Sequence, residues 1–437
     1  MNYLPNILFA IALIVGIGFF ASNIRKVIRN IKLGKKLDRF DNKPERWKNM
    51  AKIALGQSKM VSRPFSGFLH VIVYVGFIII NIEVLEIIID GLAGTHRIFQ
   101  PILGNTFYGF LIATFEILAA LVFVSVIVFW LRRNVANIKR FLSKELKGWP
   151  KADGNLILYF EMVLMTLFLV MNATDIEFQQ AGVGNPISQF IAPWFEGLPV
   201  STVHTIERTA WWIHILGILV FLNYLYYSKH LHILLAFPNT FFANLNAKGQ
   251  FPNSEAVTKE VKMMMDPDAD PYAVPETSEE EVPEKFGASD VADLSWVQLM
   301  NAYTCTECGR CTSVCPANLT GKKLSPRKIM MDTRDRLEEV GRNIDTNKGA
   351  FKDDGKQLLN DYITPEELWA CTSCNACVEE CPINIDPLSI IMDMRKYLVM
   401  EKSAAPQELN AMMTNVENNG AMWQYNQQDR LNWKDEE

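Results

Sequence analysis

Cysteine is confined to one part of the chain. The 437 residues hold eight, none before Cys305 and none after Cys381. The first three hundred residues therefore carry no disulfide framework and no thiolate ligand. Histidine is as sparse, six residues in all, so imidazole chemistry has few places to occur. No G-x-G-x-x-G run is present, and with it the usual dinucleotide fingerprint is missing. Low-complexity stretches are absent too. Met1–Phe20 has no Lys or Arg, unlike the leader of a cleaved signal peptide, and is expected to be a retained span.

All eight cysteines fall into two copies of one run: Cys305-x-x-Cys308-x-x-Cys311-x-x-x-Cys315-Pro316 and Cys371-x-x-Cys374-x-x-Cys377-x-x-x-Cys381-Pro382. C-x2-C-x2-C lets three sulfurs converge on one cubane, and the fourth Cys, followed by proline, leaves the local loop for the other cluster. The spacing predicts two [4Fe–4S] clusters, one on Cys305, Cys308, Cys311 and Cys381, the other on Cys371, Cys374, Cys377 and Cys315. Zinc sites pair distant C-x2-C units without the third Cys or the trailing Pro. A disulfide reading needs an oxidising compartment, for which the sequence offers nothing else.

An apolar fraction of 49% and a net charge of −5 average over two unlike halves. Stretches at approximately 4–22, 67–90, 105–131, 156–173 and 209–228 are long enough to span a bilayer, whereas 250–437 is polar and acidic. The loop between spans one and two carries thirteen basic residues, Arg25 through Arg63, and the loop between three and four carries seven, Arg132 through Lys151. The opposite loops hold only Arg97 and Arg208. The positive-inside rule then puts the N-terminus outside and everything after span five in the cytoplasm, the reducing side that iron–sulfur thiolates require.

The expected fold class is all-α: a five-helix transmembrane cytochrome b-type bundle followed by an α-helical ferredoxin domain. The expected domains are 1–235 (spans), 236–295 (surface segment and acidic linker), 296–402 (clusters) and 403–437 (a polar tail that docks a partner). Asp266-Pro267-Asp268-Ala269-Asp270-Pro271 and Glu279-Glu280-Glu281 mark the linker as solvated. Ser325-Pro326, Thr364-Pro365-Glu366-Glu367 and Asp386-Pro387 each read as a helix start. The 55 residues between Cys315 and Cys371 exceed what a minimal two-cluster ferredoxin needs.

Histidine inside a span is costly and marks a functional candidate. His70 opens span two on the cytoplasmic side, and His214 lies in the outer part of span five. His232 follows His214 by 18 residues, five turns on a continuous helix and about 27 Å away, so both would share a face. Same-face imidazoles at two depths suit stacked b-type haems, with His70 pairing His232. His230 turns away and reads as interfacial, while His96 and His204, outside the spans, are the two candidates to pair with His214. Covalent c-type attachment is excluded, since no C-x-x-C-H occurs. Asn81, Glu83, Glu86, Glu116 and Glu161 are polar groups in the spans. Glu116, mid-span, is a candidate proton relay or a paired structural group. Arg63-Pro64-Phe65-Ser66, near His70, is a candidate rim for a quinone pocket.

Five spans with the N-terminus outside and a histidine pair 18 apart on the last span resemble the gamma (cytochrome b) subunit of respiratory nitrate reductase. Cys-Thr-Glu-Cys-Gly-Arg-Cys-Thr-Ser-Val-Cys-Pro with Leu324-Ser325-Pro326-Arg327 resembles the iron–sulfur subunits of heterodisulfide reductase and anaerobic glycerol-3-phosphate dehydrogenase. The fusion is similar to the N-terminal part of membrane-bound electron-transfer-flavoprotein:menaquinone oxidoreductases. The resemblance implies His70 and His232 as inner-haem ligands, His214 as one outer-haem ligand, and menaquinone as substrate. Ile80 stands where the family has its second span-two histidine, and iron cannot use it.

The resemblance also implies a Cys-Cys-Gly domain, absent here because every cysteine is committed. It is expected from a partner iron–sulfur subunit that relays electrons from a cytosolic flavoprotein or dehydrogenase, with Trp423 and Trp433 of the tail as docking anchors. The implied function is a quinone-linked oxidoreductase subunit of a bacterial cytoplasmic membrane. Its rivals are an anchor and electron wire without its own quinone site, and a redox sensor, for which no output domain is present. Anaerobically purified protein should contain about eight irons in clusters beyond any haem iron, and an iron and sulfide assay giving half that would refute the two-cluster count.

Overall fold

The computed structural model describes residues 3–136, 138–251, 253, 255–267 and 285–435. The acidic runs of the linker, from Asp268 to Pro271 and from Glu279 to Glu281, lie outside the described residues. Every named element is helical, and among the described residues the extended backbone pairs only at two isolated bridges.

Five helices are long and apolar enough to cross a membrane: Leu4–Ile31, Pro64–Ala93, Asn105–Asn134, Trp149–Thr174 and Val200–Tyr227. Each exceeds the sequence estimate because its polar end continues past the hydrocarbon. In a bilayer every backbone N–H and C=O must be paired within the segment, which a helix alone accomplishes for a single pass. The outward faces stay apolar and exposed, with Ile14, Phe68, Phe110 and Val220 all more than half exposed. The inward faces share one core around Phe9, Ile112, Phe115, Phe168 and Ile215. This is a membrane protein.

The fifth span stops at a turn that the 18-residue spacing did not foresee. The α-helix ends at Tyr224, a 3-10 turn follows, and Ser228 is extended (φ −111°, ψ 148°), its Oγ accepting from the His230 N–H at 3.1 Å. A new helix, His232–Phe241, begins after the break. The same-face and 27 Å arguments for His214 and His232 assumed an unbroken helix and therefore do not hold.

The cluster half is built from Trp296–Thr304, Pro326–Thr346, Pro365–Trp369 and Pro387–Lys396, joined by the two cysteine loops. Its starts follow the sequence signals: Ser325 Oγ accepts from Lys328 N, Thr364 and Glu367 form a reciprocal capping box, and Asp386 caps through Ser389 N. Residues 285–295 pack with it, because the fully buried Arg336 takes both Asp290 (2.7 Å) and Asp354 (2.6 Å). The tail helix Gln407–Asn419 has no buried residue, and Trp423 and Trp433 are exposed.

Cluster half and spans meet along a seam at the ends that carry the basic loops. Asn30 Nδ2 donates to Tyr303 OH (2.8 Å), Lys35 N to Leu294 O (2.7 Å), and Trp296 N to Lys35 O (3.1 Å). Gly34 permits that approach, since a Cβ there would sit 2.6 Å from the Trp296 nitrogen. Backbone cannot swing away as a side chain can, so Gly34→Val should lower stability by about 1–3 kcal/mol. Thermal unfolding of the solubilised protein checks this, and an unchanged midpoint would refute the tight seam.

Candidate functional site

The sequence repeat is also a backbone repeat. In the first loop Glu307 and Gly309 are left-handed (φ +54° and +71°); in the second, the matching Ser373 and Asn375 are (φ +55° and +58°). Three of the four are not glycine, and each such residue costs about 1–2 kcal/mol, which the turn around the sulfurs must offset. The turn aims amide N–H groups at sulfur: Ser373 N donates to Cys371 Sγ (3.4 Å) and Glu307 N to Cys305. In the same way Ile385 N donates to Cys381 Sγ (3.2 Å). Such donors stabilise thiolates and tune cluster potential.

The short helices after the loops, Arg310–Val314 and Ala376–Glu380, pack on each other. That contact crosses the two runs. A small cavity is lined by Cys305, Cys308, Cys311 and Cys381, with Met330, Ile383 and Ile385 as its apolar wall and Cys377 at its edge. Burial, then Asp386, then Cys371 and Cys315 push the Cys377 thiol up, so Cys315 of the first run acts electrostatically on the second. No three donors among the described residues converge as they would around a single ion. The sulfurs instead line a volume, as ligands of corner irons do.

Burial pushes the Cys305 thiol up to about 12 and the Cys381 thiol up to about 11. Left alone these thiols stay protonated, and binding to iron converts them to thiolates. The donor set, cavity and N–H···S bonds thus fit an iron–sulfur group.

The loop between spans one and two clasps the cavity. Arg310 donates to Lys59 O (2.9 Å) and Met60 O (3.1 Å), and Lys59 Nζ to Cys381 O (3.2 Å). Arg63 binds Glu380 (2.7 Å), next to Cys381, and Ser313 (3.5 Å). Arg63 is therefore committed to the cluster helices instead of rimming an open pocket. Glu116, fully buried, accepts from Asn172 Nδ2 (3.0 Å) and from the Ile187 and Ser188 amides (2.9 and 3.0 Å). Both its oxygens are used to pin the connection between spans four and five, the structural alternative for this residue.

His70, in the second turn of span two, comes together with His230 and His232. Burial, then the charges of His232, Lys229, Arg133 and His70, holds the His230 imidazole well below its ordinary value, and its ring centroid is 5.5 Å from that of His232. His70 Nδ1 is buried without a hydrogen-bond partner. His232 Nδ1 faces Lys229 O at 3.2 Å, which leaves Nε2 free, the usual arrangement of a metal-ligating histidine. His214 is buried against Phe168, its Nδ1 also unpartnered. Neither expected partner reaches it: His96 is bound to Asp175 (3.2 Å) and His204 is exposed. These residues fit one haem near the cluster half and do not fit a second at His214.

Two groupings escaped the sequence reading, although Arg97, Glu83 and Glu86 were named there singly. At the outer end Arg97 bonds Asp175 (2.8 Å), Asn172 (3.1 Å) and Tyr108 (3.2 Å), while Tyr108 donates to Glu86 (2.9 Å). They border a cavity of about 420 Å³ lined also by Glu83, Trp211 and Trp212. At the seam, Lys229, Glu307, Asp153 and Arg334 form a largely buried charge cluster. The only sequence signal for it was a Lys and a Glu set beside candidate ligands.

The profile of the 4Fe-4S dicluster domain matches residues 304–385. The chain is 30% identical to the probable iron–sulfur-binding oxidoreductase FadF of Bacillus subtilis, over 98% of this chain and 61% of that protein. It is 24% identical to the EtfAB:quinone oxidoreductase of Syntrophomonas wolfei, over 88% of this chain and 53% of the relative. A third match, 31% identical, joins 25% of the chain to 53% of one subunit of a CoB-CoM heterodisulfide reductase of Methanosarcina acetivorans. The chain is similar to these relatives, and its residues 304–385 match a 4Fe-4S dicluster domain.

No solved structure matches the chain. It spans about 61% and 53% of the first two relatives. The dicluster domain supports two iron–sulfur clusters and an electron-transfer role. With ligand sets that cross between the runs, Cys381→Ser is expected to destroy the cluster of Cys305, Cys308 and Cys311 and to spare the one in its own run. Iron would fall from about eight to about four. Paramagnetic resonance of the reduced protein, set against Cys315→Ser, reads which centre is lost; loss of the same centre in both variants would refute the crossing.

Proposed function

We propose that this chain is the membrane subunit of a quinone-linked oxidoreductase. Electrons pass between a cytosolic donor, the two clusters, one b-type haem held by His70 and His232, and menaquinone. The observation that carries the reading is that one seam brings the cysteine loops and the His70–His232 pair to the same end of the five spans. The relative named EtfAB:quinone oxidoreductase supports a quinone as the lipid-side substrate, and the resemblance to menaquinone enzymes narrows it.

When bound, the clusters and haem supply one-electron carriers, and the chain's residues hold and tune them. Cys305, Cys308, Cys311 and Cys381 hold the cluster nearer the spans, clasped by Lys59 and Arg310. Cys371, Cys374, Cys377 and Cys315 hold the other, and the exposure of Cys374 makes that side the point of entry. Arg133, beside the histidines with a buried Nε lacking a partner, suits a haem carboxylate.

The basic loops lie at the cluster end, which supports a cytoplasmic cluster half in a bacterial inner membrane. The heterodisulfide reductase relatives are named as subunits or as subunit-like, which supports a partner here: a Cys-Cys-Gly iron–sulfur protein that takes electrons from a flavoprotein or dehydrogenase.

Purified protein should give a b-type pyridine haemochrome, lost in both His70→Ala and His232→Ala, and the wild type should reduce that haem with a menaquinol analogue. Retention of the haem in both variants would remove the ligand pair. Haem present but inert to quinol would favour the anchor-and-wire reading.

A further inference from the structure

Span five ends just before the group that joins the two redox sites. Lys229 is 6% exposed and Glu307 is 4% exposed, yet they come from the membrane half and the cluster half. Lys229 Nζ lies 2.5 Å from Glu307 Oε2 and 2.7 Å from Pro150 O. The other Glu307 oxygen meets Arg334 at 2.9 Å. Asp153 receives the Lys229 N–H at 3.2 Å and the Tyr224 hydroxyl at 2.8 Å. Every charge in the cluster is thus met by an opposite one, the condition under which buried charges persist.

Both residues continue towards a candidate ligand. Glu307 occupies the C-x-x-C loop in a left-handed conformation, and its N–H donates to Cys305. The Lys229 carbonyl faces His232 Nδ1 at 3.2 Å. One bonded chain therefore runs from Cys305 Sγ through Glu307 and Lys229 to the His232 ring.

We infer that Lys229 and Glu307 are positioning residues that couple the cluster of Cys305 to the haem of His232, holding their separation and setting the potential of that cluster. The inference rests on the haem reading above. In the step they serve, one electron leaves the reduced cluster, which goes from the +1 to the +2 state, and reduces haem Fe(III) to Fe(II). Surface charges are largely screened, whereas buried ones are screened much less. Removing the cation should therefore disfavour the reduced cluster, and removing the anion should favour it.

The test is a redox titration of the full chain in lipid nanodiscs, followed by paramagnetic resonance, together with the rate of haem reduction after photoreduction of the clusters. Lys229→Met should lower the potential of the Cys305 cluster, and Glu307→Gln should raise it. Each shift is expected to be about tenfold in the oxidised-to-reduced ratio, or about 59 mV for one electron. Both variants should slow haem reduction, about tenfold or more, with Lys229→Arg restoring it. Two variants of opposite charge keep the test intact if one misfolds. Shifts of the same sign, no shift, or haem reduction within twofold of wild type would overturn the inference while the wild-type haem stands. A wild-type protein without b-type haem would instead bring down the reading, and the inference with it.

Discussion

Buried guanidinium and ammonium groups hold the seam between the spans and the cluster helices, and the placement of the candidate redox sites depends on that seam. Arg46 and Arg327 are fully buried. Arg327 reaches Arg140 O and Glu145, both at 2.7 Å, while Arg46 reaches Ala243 O at 2.9 Å and Asp41 at 2.6 Å. Taking such groups out of water costs several kcal/mol each unless good partners replace the solvent. Arg327, from the cluster half, finds its partners on the loop between spans three and four and so locks the two halves together, while Arg46 ties its own loop to the end of the helix His232–Phe241.

The same basic residues serve two ends. By number and position in the loops they are the residues from which the positive-inside rule reads an orientation. In the folded chain Arg46 is fully buried, and several others, Lys59 and Arg63 among them, are partly covered by the cluster half. The side chains of Lys59 and Arg63 hold the cysteine loops or the helices beside them. Two residues of the basic loops thus also clasp the domain that follows.

The outer end is closed by a different device. Arg97, Asp175, Asn172, Tyr108 and Glu86 satisfy one another, and Glu116 pins the connection between spans four and five. Unpaired polar groups are expensive within the bilayer, so the Glu83 oxygen left without a partner beside the outer cavity stands apart from its neighbours. The charged groups of these two ends are distinct: the inner ones surround candidate ligands, the outer ones chiefly close the bundle.

Local chemistry was legible in the sequence because it depends on local spacing. The cysteine runs, the five spans, the three helix starts and the basic loops each follow from residues a few positions apart. The reach of His214 to His232 was misjudged because periodicity assumes an unbroken helix, and the hydroxyl of Ser228 caps a new turn just where the face would have continued. Arg63 looked like a pocket rim, and Glu116 was left open between a relay and a paired group, because nothing in a sequence reveals that Glu380 or the Ile187 and Ser188 amides will meet them. Pairing between distant residues is decided by packing. The sequence by itself determined that this chain crosses a membrane and carries two four-cysteine runs, since hydrophobic length and ligand spacing are properties of neighbours along the chain. Only the tertiary structure decided that Lys229 meets Glu307, because that contact exists only once the membrane half and the cluster half have packed on each other.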